Sequence, residues 1–487
     1  MTLSVLKQMK FSGESSMDCF QVIQNSGVKF GTSGARGLVE QFTPDTCAAF
    51  THAFISTIRE QFSFSQVAVA IDNRPSSLQM AKACCAALKQ LSIDVVFYGV
   101  IPTPALAFSA MADDIPSIMV TGSHIPFDRN GLKFYRPDGE ITKCDEQAIM
   151  NNHTKFSPLD VLPDLNVEPT ASRRYIRRYT SLFEKDFLTG LRIGIYEHSS
   201  SGRDLYSKVF SSLGAEVIQF GRTDTFVPID TEAVDDSDKK KAKGWSSEYK
   251  LDFIFSTDGD GDRPLVADEN GDWLRGDVLG ALCSKALEVE AVALPISCNT
   301  MIDEYLSGAK IKKTKIGSPF VLSSISELKA EGYLVAGFEA NGGYLLGCDT
   351  AVNGRELKAL PTRDALLPAL MLLFISREQG IGNLVDSLPK RFTDSDRIQN
   401  FSLEKSNNII RLGRDEPNKL LEQLGYGKLR VLKKDLTDGL RLELSDNSIL
   451  HLRPSGNAPE LRCYAEASSM EKAESIVKNT LMKVCSI

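Results

Sequence analysis

Three carboxylates alternate with glycines in the segment Asp258-Gly-Asp-Gly-Asp-Arg263. Carboxylates at alternate positions can direct their oxygens onto one hard cation such as Mg²⁺, and without a cation their charges repel one another. An EF-hand calcium loop is the alternative, because Glu269 stands at its twelfth position. That loop requires glycine where this chain has Arg263, and the preceding LDFIF predicts a strand instead of a helix. The segment therefore predicts a metal site built from Asp258, Asp260 and Asp262.

A serine stands beside a histidine in the segment Thr121-Gly-Ser-His-Ile-Pro-Phe-Asp-Arg-Asn-Gly-Leu-Lys133. Ser123 is a potential nucleophile, and His124 and Lys133 could stabilise a phosphoryl group on its oxygen. The segment follows a predicted strand, and ligand sites in open α/β sheets lie at the carboxyl ends of strands. A polar turn explains the pattern equally well when it is taken alone.

Three further glycine-containing loops carry groups that bind anions or sugars. The segment 30–37 (FGTSGARG) offers Arg36 to a phosphate and lacks the Lys-Ser/Thr of a Walker loop. In the segment 337–343 (GFEANGG), Glu339 and Asn341 could hydrogen-bond sugar hydroxyls. The segment 453–460 and its flank offer an anion site made of Arg453, Ser455, Gly456, Asn457 and Arg462. Each loop could also be a structural turn.

Alternating strands and helices must position these loops. Apolar runs predict strands over residues 66–72, 94–98, 117–120, 191–196, 216–220, 251–255, 291–297 and 333–336. Helical periodicity covers residues 77–91, 202–213 and 364–378, and the charged segment 235–243 is a solvated loop or helix face. This alternation predicts right-handed crossovers and mainly parallel sheets. Four short strands over residues 427–432, 439–444, 448–452 and 460–466, closed by a helix from Glu471, predict a smaller α+β domain.

Composition limits the class of protein. A chain of 487 residues exceeds one core and predicts three or four domains. The net charge of −7 disfavours a nucleic-acid protein. Ten cysteines without a C-x-x-C pair favour a reducing compartment. The amino terminus lacks the apolar core of a signal peptide, and no apolar run reaches the roughly 20 residues of a membrane span, so we expect a cytoplasmic protein.

Taken in order, the five loops resemble those of the α-D-phosphohexomutase family across nearly the whole chain. FGTSGARG resembles the family's amino-terminal arginine loop, TGSHIPFDRNGLK its phosphoserine loop, DGDGDR its magnesium loop and RPSGNAPELR its phosphate-binding loop. GFEANGG is similar to its sugar-binding loop, which the family usually closes with Ser-Gly-His. This chain has Asn341, Gly342 and Gly343 at those positions, so the histidine is missing.

The resemblance implies a fold. Three related α/β domains with mainly parallel mixed sheets and a smaller C-terminal α+β domain would form a heart-shaped molecule around a central cleft. The implied ranges are 1–165 with the phosphoserine loop, 166–275 with the metal loop, 276–395 with the sugar-binding loop and 396–487 with the phosphate-binding loop.

The resemblance also implies a reaction, the reversible transfer of phosphate between the 1- and 6-positions of a hexose through phosphorylated Ser123 and a hexose 1,6-bisphosphate. Mg²⁺ would be held by Ser123, Asp258, Asp260 and Asp262. Catalysis would fall to Ser123, His124, Lys133, Arg36 and Arg263. Substrate contacts would fall to Gly317, Ser318, Glu339, Asn341, Arg453, Ser455, Gly456, Asn457 and Arg462.

Mannose phosphate is the first expectation for the substrate, before glucose phosphate and glucosamine phosphate. A non-catalytic calcium- or sugar-phosphate-binding protein is the alternative from another class, but such a binder has no use for a phosphorylatable serine. Neither nucleic acid nor membrane is an expected partner.

Overall fold

The computed structural model describes residues 16–31, 34–455 and 459–487. Within these ranges four large sheets follow one another along the chain, with seven, four, five and five strands. The predicted combination of mixed α/β units with a C-terminal α+β unit is confirmed, while the four predicted domain ranges stay predictions. Among the described helices, none combines the length and apolarity that crossing a bilayer requires.

The first unit packs helices against the seven-stranded sheet. The sheet consists of β2 (Lys29–Gly31), β3 (Gly34–Leu38), β4 (Gln66–Ile71), β5 (Asp94–Val100), β6 (Ser117–Val120), β7 (Arg129–Arg136) and β8 (Gly139–Glu140). Two short strands, β1 (Met17–Asp18) and β9 (Lys155–Phe156), pair with each other. The helices of the unit are α1 (Cys19–Ser26), α2 (Pro44–Ile58), α3 (Ser77–Gln90), α4 (Thr103–Ala112) and α5 (Lys143–Met150). The residues at the start of α2 favour a helix there. Thr43 Oγ1 accepts the N–H of Thr46, and Pro44 occupies the first turn, where a backbone N–H has no partner within the helix.

The second unit surrounds the four-stranded sheet. It contains α6 (Thr170–Thr180), β10 (Arg192–Tyr196), α7 (Arg203–Ser212), β11 (Glu216–Phe220), α8 (Asp236–Tyr249), β12 (Phe253–Thr257) and β13 (Pro264–Ala267). The charged segment 235–243 forms the start of α8, because the Asp235 side chain caps the helix by accepting the N–H of Asp238.

The third unit surrounds the first five-stranded sheet. It contains α9 (Gly276–Ala286), β14 (Ala291–Pro295), α10 (Met301–Tyr305), β15 (Lys310–Thr314), α11 (Ser318–Ala330), β16 (Val335–Phe338), β17 (Tyr344–Leu346), β18 (Thr350–Val352), β19 (Arg355–Leu357), β20 (Leu360–Asp364), α12 (Leu366–Ser376) and α13 (Ile381–Asp386). Buried apolar side chains from each of the first three units contribute to one continuous core, which reaches from β4 to the segment after α13, and the first unit has a second core of its own.

The fourth unit is an antiparallel sheet with its own apolar core. It contains β21 (Phe392–Gln399), α14 (Leu403–Asp415), α15 (Pro417–Gln423), β22 (Val431–Asp435), β23 (Leu440–Leu444), β24 (Ile449–Pro454), β25 (Glu460–Ala467) and α16 (Met470–Val484). The first predicted strand, 427–432, is displaced towards β22, because Tyr426 and Leu429 close a turn before it.

The first three units share one topology. In each, three parallel strands are followed by an antiparallel one, in the orders β5-β4-β6-β7, β11-β10-β12-β13 and β15-β14-β16-β17. The loop that enters the antiparallel strand spans residues 121–128, 258–263 or 339–343. These are the loops of Ser123, of the three aspartates and of Glu339, so the fold brings the predicted chemistry to equivalent sheet edges.

Candidate active site

The backbone at Ser123 is held in a strained conformation. Its φ is 54°, in the left-handed region that a non-glycine residue seldom adopts. Thr121 Oγ1 accepts the N–H of Ser123 at 2.8 Å, and Arg74 Nη2 donates to the Ser123 carbonyl at 2.9 Å. Asp72 fixes both of these partners, since it accepts from the Thr121 hydroxyl and from Arg74 Nε. Such strain persists only where the surroundings impose it, as at functional sites.

The three aspartates of the metal loop converge beside this serine. One oxygen from each of Asp258, Asp260 and Asp262 lies within 4.8 Å of the others. The Ser123 hydroxyl donates to Asp258 Oδ2 at 2.7 Å. Asp260 Oδ1 and Asp262 Oδ1 are buried without a hydrogen-bond partner among the described residues. Buried carboxylate oxygens need compensation, so this donor set fits a hard divalent cation such as Mg²⁺.

The EF-hand alternative finds no support at Glu269. Its carboxylate oxygens accept the N–H of Gly382 at 3.2 Å, in another loop. The aspartate loop also follows the strand β12, whereas an EF-hand loop follows a helix.

Lys133 lies on β7, and its ammonium group lies between two of the aspartates. Its Nζ donates to Asp260 Oδ2 at 2.6 Å and to Asp262 Oδ2 at 2.8 Å. Thr103 Oγ1 donates to the same oxygen of Asp260 at 2.6 Å. These contacts engage one oxygen of each carboxylate and fix the direction of the other.

Positive charge surrounds His124, whose Nδ1 lies 3.5 Å from Ser123 Oγ. The charge of Arg263, followed by burial and the charge of Arg36, lowers the pKa of His124 to about 2, so the imidazole is neutral at ordinary pH. Burial, followed by the charges of Arg263 and Arg363, lowers the pKa of Arg36 to about 10. Cations crowded in this way favour a bound anion.

A cleft of about 400 Å³ lies between the four units. Residues of every unit line it, including Arg36, His124, Arg263, Glu339 and Arg462. Ser123 itself is fully buried and lies directly behind His124. The fold thus gathers predicted residues more than 400 positions apart in the sequence around one space.

The third unit supplies the wall predicted to hold a sugar. Glu339, Asn341 and Gly317 line the cleft. The Asn341 side chain accepts the N–H of Gly343 at 3.0 Å, which shapes the loop. Ser318 is not among the cleft-lining residues, and its buried hydroxyl donates to Glu140 Oε2 at 3.3 Å.

The fourth unit differs in part from the prediction for its loop. Arg462 lines the cleft, whereas Arg453 and Ser455 do not. Arg453 Nε donates to Asp438 Oδ2 at 2.8 Å, and the same oxygen accepts the N–H of Ile316. Gly456 and Asn457 lie outside the described residues.

Three arginines form a row across the fourth sheet. Arg462 is directly opposite Arg397 on one neighbouring strand and Arg453 on the other. Like charges at such positions repel, and Glu460 Oε2, 3.7 Å from both Arg397 Nη1 and Arg462 Nη2, offsets this repulsion in part. Arg462 Nε is buried without a hydrogen-bond partner among the described residues. An anion in the cleft beside Arg397 and Arg462 would compensate both features.

Sequence reasoning missed Arg363, Arg397 and Tyr464, all of which line the cleft. They lie on β20, β21 and β25, outside any glycine-rich loop. No sequence signal marked Arg363, because its strand LPTRD lacks the apolar run that predicts a buried strand.

Family comparisons match most of the chain. Three models described as phosphoglucomutase/phosphomannomutase match it: alpha/beta/alpha domain I over residues 27–158, alpha/beta/alpha domain III over residues 275–392 and the C-terminal domain over residues 409–481. A phosphomannomutase of Salmonella muenchen is 57% identical over 96% of this chain and 97% of its own length. A phosphomannomutase of Sinorhizobium fredii is 39% identical over 93% and 98%.

More distant relatives share the same extent. A phosphoglucosamine mutase of Sinorhizobium medicae is 28% identical over 92% of this chain and 96% of its own. A crystal structure of a phosphoglucomutase/phosphomannomutase family protein from Burkholderia thailandensis superposes with a TM-score of 0.72 at 19% identity, covering 93% of this chain and 97% of that one. At that identity the likeness concerns the fold alone.

Proposed function

Because this chain belongs to the α-D-phosphohexomutase family and is a phosphohexomutase, we propose that it interconverts mannose 1-phosphate and mannose 6-phosphate through a phosphorylated Ser123. One observation carries the proposal for the site. The Ser123 hydroxyl contacts the three-aspartate cluster on one side and lies behind the arginine-lined cleft on the other. Phosphoryl transfer requires a nucleophile with a cation site and an anion site close to it.

The reaction begins with phosphate on Ser123 Oγ. A hydroxyl of the sugar phosphate attacks this phosphorus, the bond to Oγ breaks, and a hexose 1,6-bisphosphate forms. The bisphosphate then turns in the cleft and returns its other phosphoryl group to Ser123 Oγ. No net phosphate is consumed, and added bisphosphate serves as an activator because it can rephosphorylate Ser123.

The surrounding residues have distinct roles in this proposal. Lys133 orients Asp260 and Asp262. The negative charge of a phosphoryl group on Ser123 would raise the pKa of the adjacent His124, which then accepts a proton from the attacking hydroxyl. Arg36 and Arg263 stabilise the charge of the transferring group. Mg²⁺, held by Asp258, Asp260, Asp262 and an oxygen on Ser123, would neutralise further negative charge on that group.

Glu339 and Asn341, together with Gly317, form the proposed sugar wall, whereas Ser318 stays a predicted contact that does not line the cleft. Arg462 binds the phosphate group that is not being transferred. Arg453 stays a predicted contact to this phosphate, which would require it to break its bond to Asp438. Ser455, Gly456 and Asn457 also stay predicted substrate contacts. We also propose a cytoplasmic location, which the free thiol state of the cysteines supports.

A coupled assay with mannose 1-phosphate, glucose 1-phosphate and glucosamine 6-phosphate tests the proposed substrate. With Mg²⁺ and a trace of glucose 1,6-bisphosphate present, we expect the highest kcat/KM for mannose 1-phosphate. Glucose 1-phosphate should follow within about 1000-fold, because a larger ratio needs a dedicated buried partner for the 2-hydroxyl. Turnover of none of the three would refute the function, and a strong preference for glucosamine phosphate would refute the substrate.

Removal of the Arg462 guanidinium should weaken substrate capture. A charge-assisted contact to phosphate is worth about ten- to a hundredfold in binding, so Arg462→Met should raise KM by that factor and lower kcat less. Arg397→Met should act in the same direction. Steady-state kinetics of these variants beside Arg414→Met, an exposed arginine paired with Asp415, provides the comparison. Equal KM values in Arg462→Met and Arg414→Met would contradict the assignment.

A further inference from the structure

Arg363 joins the metal loop to the sugar-binding loop. Its Nη2 lies 2.9 Å from Asp262 Oδ2, and its Nε donates to the same oxygen at 3.1 Å. Its Nη1 donates to Glu339 Oε2 at 3.1 Å. The side chain is only 3% exposed, so the guanidinium depends on these carboxylates for its charge balance. One planar group therefore sets the spacing of two carboxylates that have different proposed tasks.

Gly343 leaves the space in which Arg363 lies. A Cβ atom at position 343 would come 2.5 Å from Cδ and 2.6 Å from Cγ of Arg363. The backbone of Gly343 is not in the left-handed region, so its conformation does not demand glycine. The requirement is for volume: any side chain at position 343 would displace the arginine.

The strand that carries Arg363 is anchored from its other face. The next residue, Asp364, points away from the cleft, as alternation along a strand requires. Its carboxylate accepts from the hydroxyls of Tyr175, at 2.5 Å, and Tyr179, both fully buried on α6. The second unit thus fixes the position from which Arg363 reaches into the site.

We propose that Arg363 is a positioning residue that holds Asp262 and Glu339 at a fixed spacing, and that Gly343 serves to admit it. This inference rests on the proposed function, in which Asp262 is a metal ligand and Glu339 holds the sugar. It assigns the space left by the family's missing histidine to a side chain from a different strand. Sugar binding and metal binding are consequently coupled, because each ligand contacts one of the two carboxylates that the Arg363 guanidinium holds.

The first test leaves Arg363 in place and fills its space. In Gly343→Ala the new methyl group displaces the guanidinium, so both the KM for mannose 1-phosphate and the Mg²⁺ concentration for half-maximal rate should rise about tenfold. The matched control is Gly244→Ala on α8, where an added Cβ meets nothing within 4 Å. A variant that only loses folded protein would lower kcat and leave both constants unchanged, and that outcome would overturn the proposal.

The second test combines variants. Arg363→Met should raise the same two constants by about ten- to a hundredfold, and Arg363→Lys should recover only part of the loss, because an ammonium group cannot span both carboxylates. The double variant Gly343→Ala/Arg363→Met should be no worse than Arg363→Met, since the methyl group then has nothing to displace. If the double variant raises the two constants by the product of the factors of the single variants, Gly343 does not act through Arg363.

A third measurement does not use turnover. Mn²⁺ can replace Mg²⁺ in this measurement, because both ions take carboxylate oxygens as ligands. In the wild-type protein, Mn²⁺ should increase the affinity for mannose 6-phosphate measured by calorimetry, and mannose 6-phosphate should increase the affinity for Mn²⁺ by the same factor. In Gly343→Ala this mutual effect should shrink or vanish, while Gly244→Ala keeps it. An unchanged effect in Gly343→Ala would refute the inference. Failure of the proposed function is a separate result, namely a wild-type protein that binds both ligands without mutase turnover.

Discussion

Replacement of Ser123 by alanine is expected to abolish the mutase reaction, with a loss of at least about 10⁴-fold in kcat, because the proposed reaction passes through a phosphoryl group on this hydroxyl. The hydroxyl of Ser123 donates to Asp258 at 2.7 Å, and the strained backbone aims it at this contact. Intact mass should show wild-type protein carrying one phosphate after incubation with glucose 1,6-bisphosphate, and Ser123→Ala carrying none.

The control for this experiment is Ser326→Ala, which removes an exposed hydroxyl that donates only to the carbonyl of Leu322. It should keep both activity and phosphate. The mechanism is wrong if Ser123→Ala turns over mannose 1-phosphate at the wild-type rate, or if it accepts phosphate from the bisphosphate as the wild-type protein does.

Replacement of Asp258 by asparagine should have the second largest effect, a loss of about 10²- to 10³-fold in kcat together with the loss of Mg²⁺ dependence. Burial, and then repulsion from Asp260 and Asp262, raises the pKa of Asp258. The charged form is therefore costly in the metal-free protein, and Asp258→Asn should melt at a higher temperature than metal-free wild type. A catalytic loss accompanied by a gain in stability separates a functional residue from a structural one.

Metal addition completes this prediction. Mg²⁺ should raise the melting temperature of the wild-type protein and leave that of Asp258→Asn unchanged, because the site has lost a ligand charge. Asp252→Asn, outside the metal loop, is the matched control and should keep the response to metal. Chelator-treated wild-type protein with normal turnover would contradict the metal assignment.

The predictable part of the site consists of short segments in which several unusual residues are neighbours. The alternating aspartates and the Ser-His pair stand out because glycine, charge and a preceding apolar strand coincide locally. Lys133 was identified for the same reason, although it lies on a strand and not in a loop. The order of the loops then led to the fold, because four of the five loops follow a strand that periodicity could identify.

Long-range pairing could not be predicted in this way. Arg363 gains its role from the missing side chain at Gly343, twenty positions earlier, and from carboxylates in two other loops. Arg397 and Arg462 become neighbours only through the register of β21 and β25. The sequence predicts that Arg453 contacts the substrate, whereas its pairing with Asp438 cannot be inferred from the spacing of the two residues. Local patterns identify loops, whereas cross-strand register decides which strand residues join them.

The recurrence of one topology in the first three units has an evolutionary consequence. Repeated duplication of a single ancestral unit would produce this arrangement, with the hairpin loop of each copy free to specialise. One copy carries Ser123 in this loop, another the three aspartates and the third Glu339. Since the ladder hydrogen bonds of the flanking strands hold the ends of each loop, a loop can diverge without disturbing its sheet. The third loop can therefore change without disturbing its sheet, provided that position 343 keeps the space in which Arg363 lies.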